Sequence, residues 1–218
     1  MTAASGEHPR WQRRPFHRLF PSEETPMKPR WALGLLAMSA VGLATQSVAA
    51  PPSAAMLANA CAGCHGTLGA SAGPSMPSLA SQSKASLVEA MRKFRSGDRP
   101  STVMGRLAKG YSDADIDALG DFFARQKFHA TAQTVDAGKV SRGAQLQEAN
   151  CSRCHLDDGK DGKDDTPVMA SQWLPYLQMQ MALYQSGKRK MPDKMAEKVK
   201  PLSADDLEAL MHFYASVK

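Results

Sequence analysis

The chain has no cysteine outside two short strings, and it has no long apolar segment and no clear alternation of apolar and polar residues. Because its four cysteines all lie in residues 61–65 and 151–155, none remains for a disulfide between distant segments. The apolar run at residues 31–44 is shorter than the roughly 20 residues that a membrane-spanning helix needs. No stable membrane span is therefore expected, although an uncleaved N-terminal anchor remains an alternative.

The basic excess of the chain is concentrated at its N-terminus. The whole sequence has a formal charge of +6, but residues 1–49 hold six basic and three acidic residues, which leaves +3 for the remainder. This balance gives no support for nucleic-acid binding, which needs a dense basic surface. From Met27, basic residues precede the apolar run and then Ser47-Val48-Ala49, the order found in cleaved signal peptides. We expect residues 1–49 to comprise an upstream extension and a signal peptide starting at Met27, and the mature protein to be periplasmic.

Each cysteine string has the form Cys-x-x-Cys-His, which is typical of haem attachment. Two thiols three residues apart can each bond one vinyl group of a haem, and the adjacent imidazole then reaches the iron. The sequence therefore predicts two covalent haem c groups, with thioethers at four cysteines and proximal iron ligands at two histidines: Cys61, Cys64, Cys151, Cys154, His65 and His155. A redox pair or half of a zinc site is the alternative for Cys-x-x-Cys. Zinc bound by both strings would join residues 90 apart and would leave the paired histidines unexplained.

The two strings belong to an internal repeat of whole domains. The segments that begin at Pro77 and Pro167 match at the same spacing of 90 residues as Cys61 and Cys151. One inserted residue changes the spacing to 91, so that Ser112 matches Ser203. Such self-similarity indicates a duplicated supersecondary unit. We predict an N-terminal domain at 50–126, a linker at 127–141 and a C-terminal domain at 142–218.

Both copies have the periodicity of helices. In the first copy, Leu87, Met91 and Phe94 recur at helical spacing, and Ser112 with Asp115 forms the start of a final helix. Domains of this length bury little surface and often need a cofactor to complete the core. The predicted fold is all-α, with two tandem domains that each wrap around one covalent haem.

A second axial ligand is needed for each iron, because the sixth position decides between electron transfer and ligand binding. Met104 and Met195 occupy matching places seven residues before Tyr111 and Leu202, in predicted loops between helices, and are the candidates. Met191 is the competitor in the second copy. His129 and His212 lack counterparts in the other copy, so we interpret His129 as linker and His212 as helix surface.

The proximal histidines also need an acceptor for the second ring nitrogen, because such a contact fixes the ring orientation. Pro77 and Pro167 follow the two strings at equal distance, and their carbonyl groups are the candidates. An ordinary turn role is the alternative for both prolines.

Several longer strings resemble diheme class I cytochromes of bacterial periplasms, and more closely the cytochrome subunit of flavocytochrome c sulfide dehydrogenase. They are residues 61–67, 101–112, 172–178 and 191–195. The resemblance extends from Met56 to Ser216 and implies two class I cytochrome c domains with His/Met-ligated irons. It places no catalytic residue on this chain. Trp173 and Tyr176 match aromatic positions of that family, and they either pack near the haem interface or fill the core.

The same resemblance implies partners. A flavoprotein subunit that carries the FAD would oxidise sulfide, and this chain would pass the electrons to a soluble cytochrome c. The chain would then be the electron-transfer subunit of an oxidoreductase complex. Two alternatives remain: a free periplasmic diheme cytochrome that shuttles electrons to a terminal oxidase, and an enzyme that acts at a haem, such as a peroxidase. The last requires an open iron site, which Met104 and Met195 oppose.

Overall fold

A computed structural model of the chain describes residues 50–162 and 166–218, and both copies are helical. The first copy contains α1 (Ala54–Asn59), α2 (Ala62–His65), α3 (Lys84–Ser96), α4 (Met104–Leu107) and α5 (Asp113–Ala124). The second contains α6 (Ala137–Leu146), α7 (Leu174–Gln185), α8 (Asp193–Val199) and α9 (Ala204–Ser216). The predicted signal peptide, at residues 1–49, lies outside the described residues. Within the two described ranges, no helix has the length and apolar character needed to cross a bilayer.

The last helix of each copy begins with the same reciprocal cap. Ser112 accepts a hydrogen bond from the Asp115 N–H at 3.1 Å, and the Asp115 carboxylate accepts the Ser112 N–H at 2.9 Å. Ser203 and Asp206 repeat this arrangement at the start of α9. These contacts satisfy backbone donors that a helix leaves unpaired at its start. The predicted start of α5 at Ser112 is confirmed.

A short hairpin follows the second cysteine string. Its strands are β1 (His155–Leu156) and β2 (Asp161–Gly162), which pair antiparallel with His155 opposite Gly162. The chain reverses through Asp158 and Gly159, whose φ angles are 54° and 83°. Two-residue strands are too short to show a period in the sequence, which is why the sequence pattern did not predict this hairpin.

The core of the second copy lies between α6 and α9. Gly143 lets these helices approach closely, because a Cβ at this position would lie 2.2 Å from the Ala209 carbonyl oxygen. Helix α9 is buried at Leu207 and along residues 209–215. Such burial on several faces shows that α9 is the central helix of this domain.

The two copies join through reciprocal hydrogen bonds made by equivalent glutamines. Gln82 donates to the Val168 carbonyl at 2.8 Å and accepts the Val168 N–H at 3.0 Å. Gln172 donates to the Ser78 carbonyl at 3.0 Å and accepts the Ser78 N–H at 2.9 Å. All four bonds are buried. Each copy therefore satisfies both the N–H and the carbonyl group of one residue in the other copy. The contact is reciprocal, as in an isologous interface between identical subunits.

The segment between the copies is bonded to the second one. Gln133 accepts the Leu174 N–H at 2.8 Å and donates to the carbonyl groups of Gln172 and Ala215. Helix α6 begins at Ala137, inside the segment predicted as a linker at 127–141. The extended backbone that connects the copies therefore ends earlier than residue 141.

Candidate haem centres

The first cysteine string forms a tight helical turn that presents both thiols. Cys61 caps α2 and is half-buried, whereas Cys64 is exposed. All four cysteines of the chain are free thiols. Burial raises the pKa of the Cys61 thiol, and neighbouring Cys64 raises it further. Unpaired thiols on one turn, next to a histidine, are the donor set that a covalently bound haem c requires.

The structure gives no support for the zinc alternative. A shared zinc site needs four nitrogen or sulfur ligands in one cluster. Among residues 50–162 and 166–218, no group of three or more histidine, cysteine, aspartate or glutamate side chains is arranged to hold a metal ion. In this part of the chain, the two strings therefore do not converge on one shared site.

His65 is oriented for ligation by a backbone contact. It is only 7% exposed, and its Nδ1 donates to the Pro77 carbonyl oxygen at 2.8 Å. Burial lowers the pKa of His65, and the bond to Pro77 partly opposes that shift. A neutral ring with its proton on Nδ1 leaves Nε2 free to bind iron. The predicted role of Pro77 is thereby confirmed.

His155 differs from its counterpart His65 in the hydrogen bonding of its Nδ1 atom. Burial lowers its pKa and the nearby Pro167 carbonyl opposes the shift. Among the described residues, however, Nδ1 of His155 has no partner at hydrogen-bonding geometry. The Pro167 carbonyl is close enough to affect this ring, and its predicted role as the acceptor stays a prediction.

A buried polar network holds the second string instead. The Tyr214 hydroxyl donates to Gln147 Oε1, and Gln147 Nε2 donates to the His155 carbonyl at 2.8 Å. Tyr214 and Gln147 are 3% and 2% exposed. The Tyr214 ring also meets the His155 ring edge-on, with centroids 5.9 Å apart. Burial raises the pKa of Tyr214 far above its ordinary value, so the phenol stays protonated as a donor.

The first copy has apolar residues at the equivalent places, Leu57 and Phe123. Sequence reasoning missed the network, although comparison of the copies contained its signal. Where the first copy has Leu and Phe in the core, the second has Gln and Tyr. Because burying an amide without a hydrogen-bond partner costs free energy, the paired difference indicates an internal hydrogen bond.

The candidate methionines lie in short helices rather than in open loops. Met104 is the first residue of α4, and Met195 is the third residue of α8; both are partly buried. Met191 is partly buried as well and precedes α8. Assignment of Met104 and Met195 as iron ligands stays a prediction.

The interpretation of His212 as helix surface is wrong. This side chain is 8% exposed, its Nδ1 accepts the Asp136 N–H at 3.0 Å, and its Nε2 lies 3.3 Å from Glu208. It therefore fixes the start of α6 against α9. Both ring nitrogens of His212 are thus engaged by residues of the second copy.

Trp173 and Tyr176 lie where the two copies meet. Trp173 Nε1 donates to the Ser71 carbonyl at 3.1 Å, and Arg99 lies 3.4 Å from the Tyr176 hydroxyl. Arg99 and Arg189 both bond Gln180 Oε1. Burial lowers the pKa of Arg189, and repulsion from Arg99 lowers it further, so the two guanidinium groups are close. These aromatic side chains therefore belong to the interface between the copies, together with an arginine pair.

Comparison with known proteins identifies both copies. The cytochrome c family matches residues 52–126. The family of subunit III of the cbb3-type cytochrome c oxidase matches residues 138–213. A thiosulfate dehydrogenase electron acceptor from Stutzerimonas stutzeri is 36% identical over 84% of this chain and 90% of its own length.

Two further proteins resemble this chain over different shares of its length. A cytochrome subunit of sulfide dehydrogenase from Chlorobaculum tepidum is 39% identical, over 42% of this chain and 90% of its own. The crystal structure of reduced cytochrome c4 from Pseudomonas stutzeri superposes with a TM-score of 0.67 at 23% identity, covering 78% of this chain and all of that one. The all-α fold of two tandem cytochrome c domains is thereby confirmed. With two haem-attachment strings, two matching domains and a relative aligned along nearly its whole length, the chain belongs to the diheme class I cytochrome c family and is an electron-transfer protein.

Proposed function

We propose that this protein is the periplasmic electron acceptor of a dehydrogenase that oxidises an inorganic sulfur compound, with thiosulfate as the first candidate. The observation that carries the proposal is the length of the similarity to the thiosulfate dehydrogenase electron acceptor. An alignment over 84% of this chain must include both haem strings, wherever it begins.

The sulfide dehydrogenase cytochrome supports a second candidate. That similarity covers 42% of this chain, about 92 residues, which is fewer than the 95 residues from Cys61 to His155. It therefore cannot include both complete strings. The strings around Met104 and Trp173 nevertheless resemble this family, so a flavoprotein partner with FAD that oxidises sulfide is the second candidate donor.

The chain supplies two one-electron sites held in one body. Four thiols would anchor the haems, and His65, Met104, His155 and Met195 would occupy the axial positions. When bound, haem iron ligated by histidine and methionine supplies reversible one-electron transfer. The buried contacts of Gln82 and Gln172 hold the two domains together, so both electrons of a two-electron oxidation can reside on one molecule. As sixth ligands, Met104 and Met195 would leave no open iron position and would oppose a peroxidase activity.

The donor can be identified with the native protein. Purification under mild conditions, followed by assay for FAD, tests for a flavoprotein subunit. Stopped-flow reduction of the oxidised cytochrome is then compared for thiosulfate with thiosulfate dehydrogenase and for sulfide with the flavoprotein. Rapid reduction by the first pair and absence of FAD support the proposal. Co-purified FAD with reduction only by sulfide contradicts it in favour of the second candidate, whereas reduction by neither pair favours a shuttle to a terminal oxidase.

A further inference from the structure

The segment that contains the predicted ligand Met195 is strongly basic. Residues 188–200 contain six basic residues and two acidic ones, Asp193 and Glu197, so the segment has a formal charge of +4. Its five lysines are all exposed, and none forms an ion pair with a described carboxylate. We define the lysine surface as these residues: Lys188, Lys190, Lys194, Lys198 and Lys200.

The lysine surface adjoins the second haem string. Val199, between two of its lysines, packs against the same apolar cluster as Cys151. A protein that docks on this surface would therefore come close to the second site.

The fold does not require these lysines. With the repeat spacing of 91, Lys194 and Lys198 correspond to Val103 and Leu107 of the first copy, which are 47% and 52% exposed. Lys188 precedes the inserted residue and corresponds to Asp98 at the spacing of 90. At three of the five positions, the side chain is thus apolar or acidic in the first copy and basic in the second, whereas Lys200 matches the basic Lys109. Because like charges on one small segment repel each other, a stability role does not explain the difference.

We propose that the lysine surface is the docking face for an acidic redox protein, which exchanges electrons with the second domain rather than the first. Clustered unpaired lysines raise the local concentration of an anionic partner and speed its association. A membrane surface is the less favoured occupant. Basic segments that lie on membranes also present large apolar side chains, and none of the exposed large apolar residues lies within 188–200.

The identity of this partner as the sulfur-compound dehydrogenase rests on the proposed function, whereas its acidic character does not. Two double variants test where the partner docks. Each removes two charges from equivalent helical regions of the two domains: the lysine double is Lys194→Gln/Lys198→Gln, and the arginine-lysine double is Arg106→Gln/Lys109→Gln. The residues of the second pair are exposed and form no ion pair with a described carboxylate. Because the two doubles have the same net charge, a difference between them reports the location of docking.

The haem-loaded proteins are mixed with reduced dehydrogenase in a stopped-flow instrument over a series of salt concentrations. Electrostatic steering changes association rates by about 10-fold or more. We expect the lysine double to be slowed roughly tenfold at low salt, the arginine-lysine double to stay within about twofold of wild type, and all three to converge at high salt, where the Debye length is short. Equal slowing of both doubles overturns the proposal.

A second donor separates this proposal from the proposed function. If the dehydrogenase does not reduce the wild type, the proposed function fails, and reduction by an acidic flavodoxin provides the same comparison. Selective slowing of the lysine double with flavodoxin supports the docking face. If the lysine double reacts like wild type with both donors but loses binding to vesicles that contain phosphatidylglycerol, the surface is a membrane contact and the docking proposal is overturned.

Discussion

Truncation of Gln172 to alanine is expected to uncouple the two domains. The side chain is 3% exposed, and it provides both hydrogen bonds to the backbone of Ser78, at 2.9 and 3.0 Å. Ser78 itself is 5% exposed. The substitution therefore leaves an N–H and a carbonyl without partners inside the contact between the copies.

The magnitude follows from those two groups. A buried polar group that loses its partner costs roughly 1–3 kcal/mol, so the pair costs about 2–6 kcal/mol if the interface stays dry. Water that enters the space left by the amide brings the effect to the lower end of this range. At that lower end, about 2 kcal/mol, a shift of roughly 2–4 °C per kcal/mol in a protein of this length lowers Tm by about 4–8 °C.

Differential scanning calorimetry of the haem-loaded protein is the assay. We expect the single transition of the wild type to shift down and to separate into two, because each domain then unfolds without the other. Gln82→Ala should lower and separate the transition in the same way. The control is Gln126→Ala, which removes one partly buried bond to the Phe122 carbonyl within the first copy. If Gln172→Ala and Gln126→Ala give the same single transition, the glutamine contacts do not couple the domains.

Three further substitutions give separate outcomes. Met195→Ala should abolish the methionine-to-iron absorption band of one haem and make that haem high-spin, whereas Met191→Ala should leave the band intact; the opposite result assigns the ligand to Met191. Tyr214→Phe should destabilise the second domain by roughly 1–3 kcal/mol in urea unfolding, because the Gln147 amide loses its buried donor, and Tyr214→Phe/Gln147→Leu should recover part of that loss. Asp206 has a pKa below its ordinary 3.8, chiefly because the Ser203 hydroxyl donates to it. A lowered folded-state pKa stabilises the fold above about pH 4 and loses that contribution as the pH falls through the folded value, so Asp206→Asn should flatten the acid limb of the stability profile.

The repeat made the domain plan predictable, because matching residues at spacings of 90 and 91 require matching backbones. The structure extends the match to unusual conformations: Ser81 and Ser171 have φ angles of 60° and 56°. Each donates its N–H to the carbonyl of an aromatic residue in the last helix, Phe123 or Tyr214. No local sequence rule predicts a left-handed serine, since the tertiary bond holds it there.

The error at His212 has a physical cause. Helical periodicity separates a buried face from an exposed one only when a helix packs on a single side. Helix α9 contacts both α6 and α7, and residues 209–215 are buried without interruption. A polar residue in such a helix has no solvent-facing position, so it needs an internal partner, which the Asp136 N–H provides.

The differences between the copies follow a pattern that neither the haem strings nor the family similarity reveals. Inside the second domain, Tyr214 and Gln147 stand where the first has apolar residues; Tyr214 donates to Gln147, which donates to the His155 carbonyl. Outside it, Lys194 and Lys198 replace the exposed apolar residues Val103 and Leu107. Both sets of changes lie around one site and leave the shared backbone intact. The two domains therefore share one backbone plan and differ around the second cysteine string in its histidine contacts and in its surface charge. A carrier with two unlike ends can meet different partners at each, which two identical domains could not do selectively.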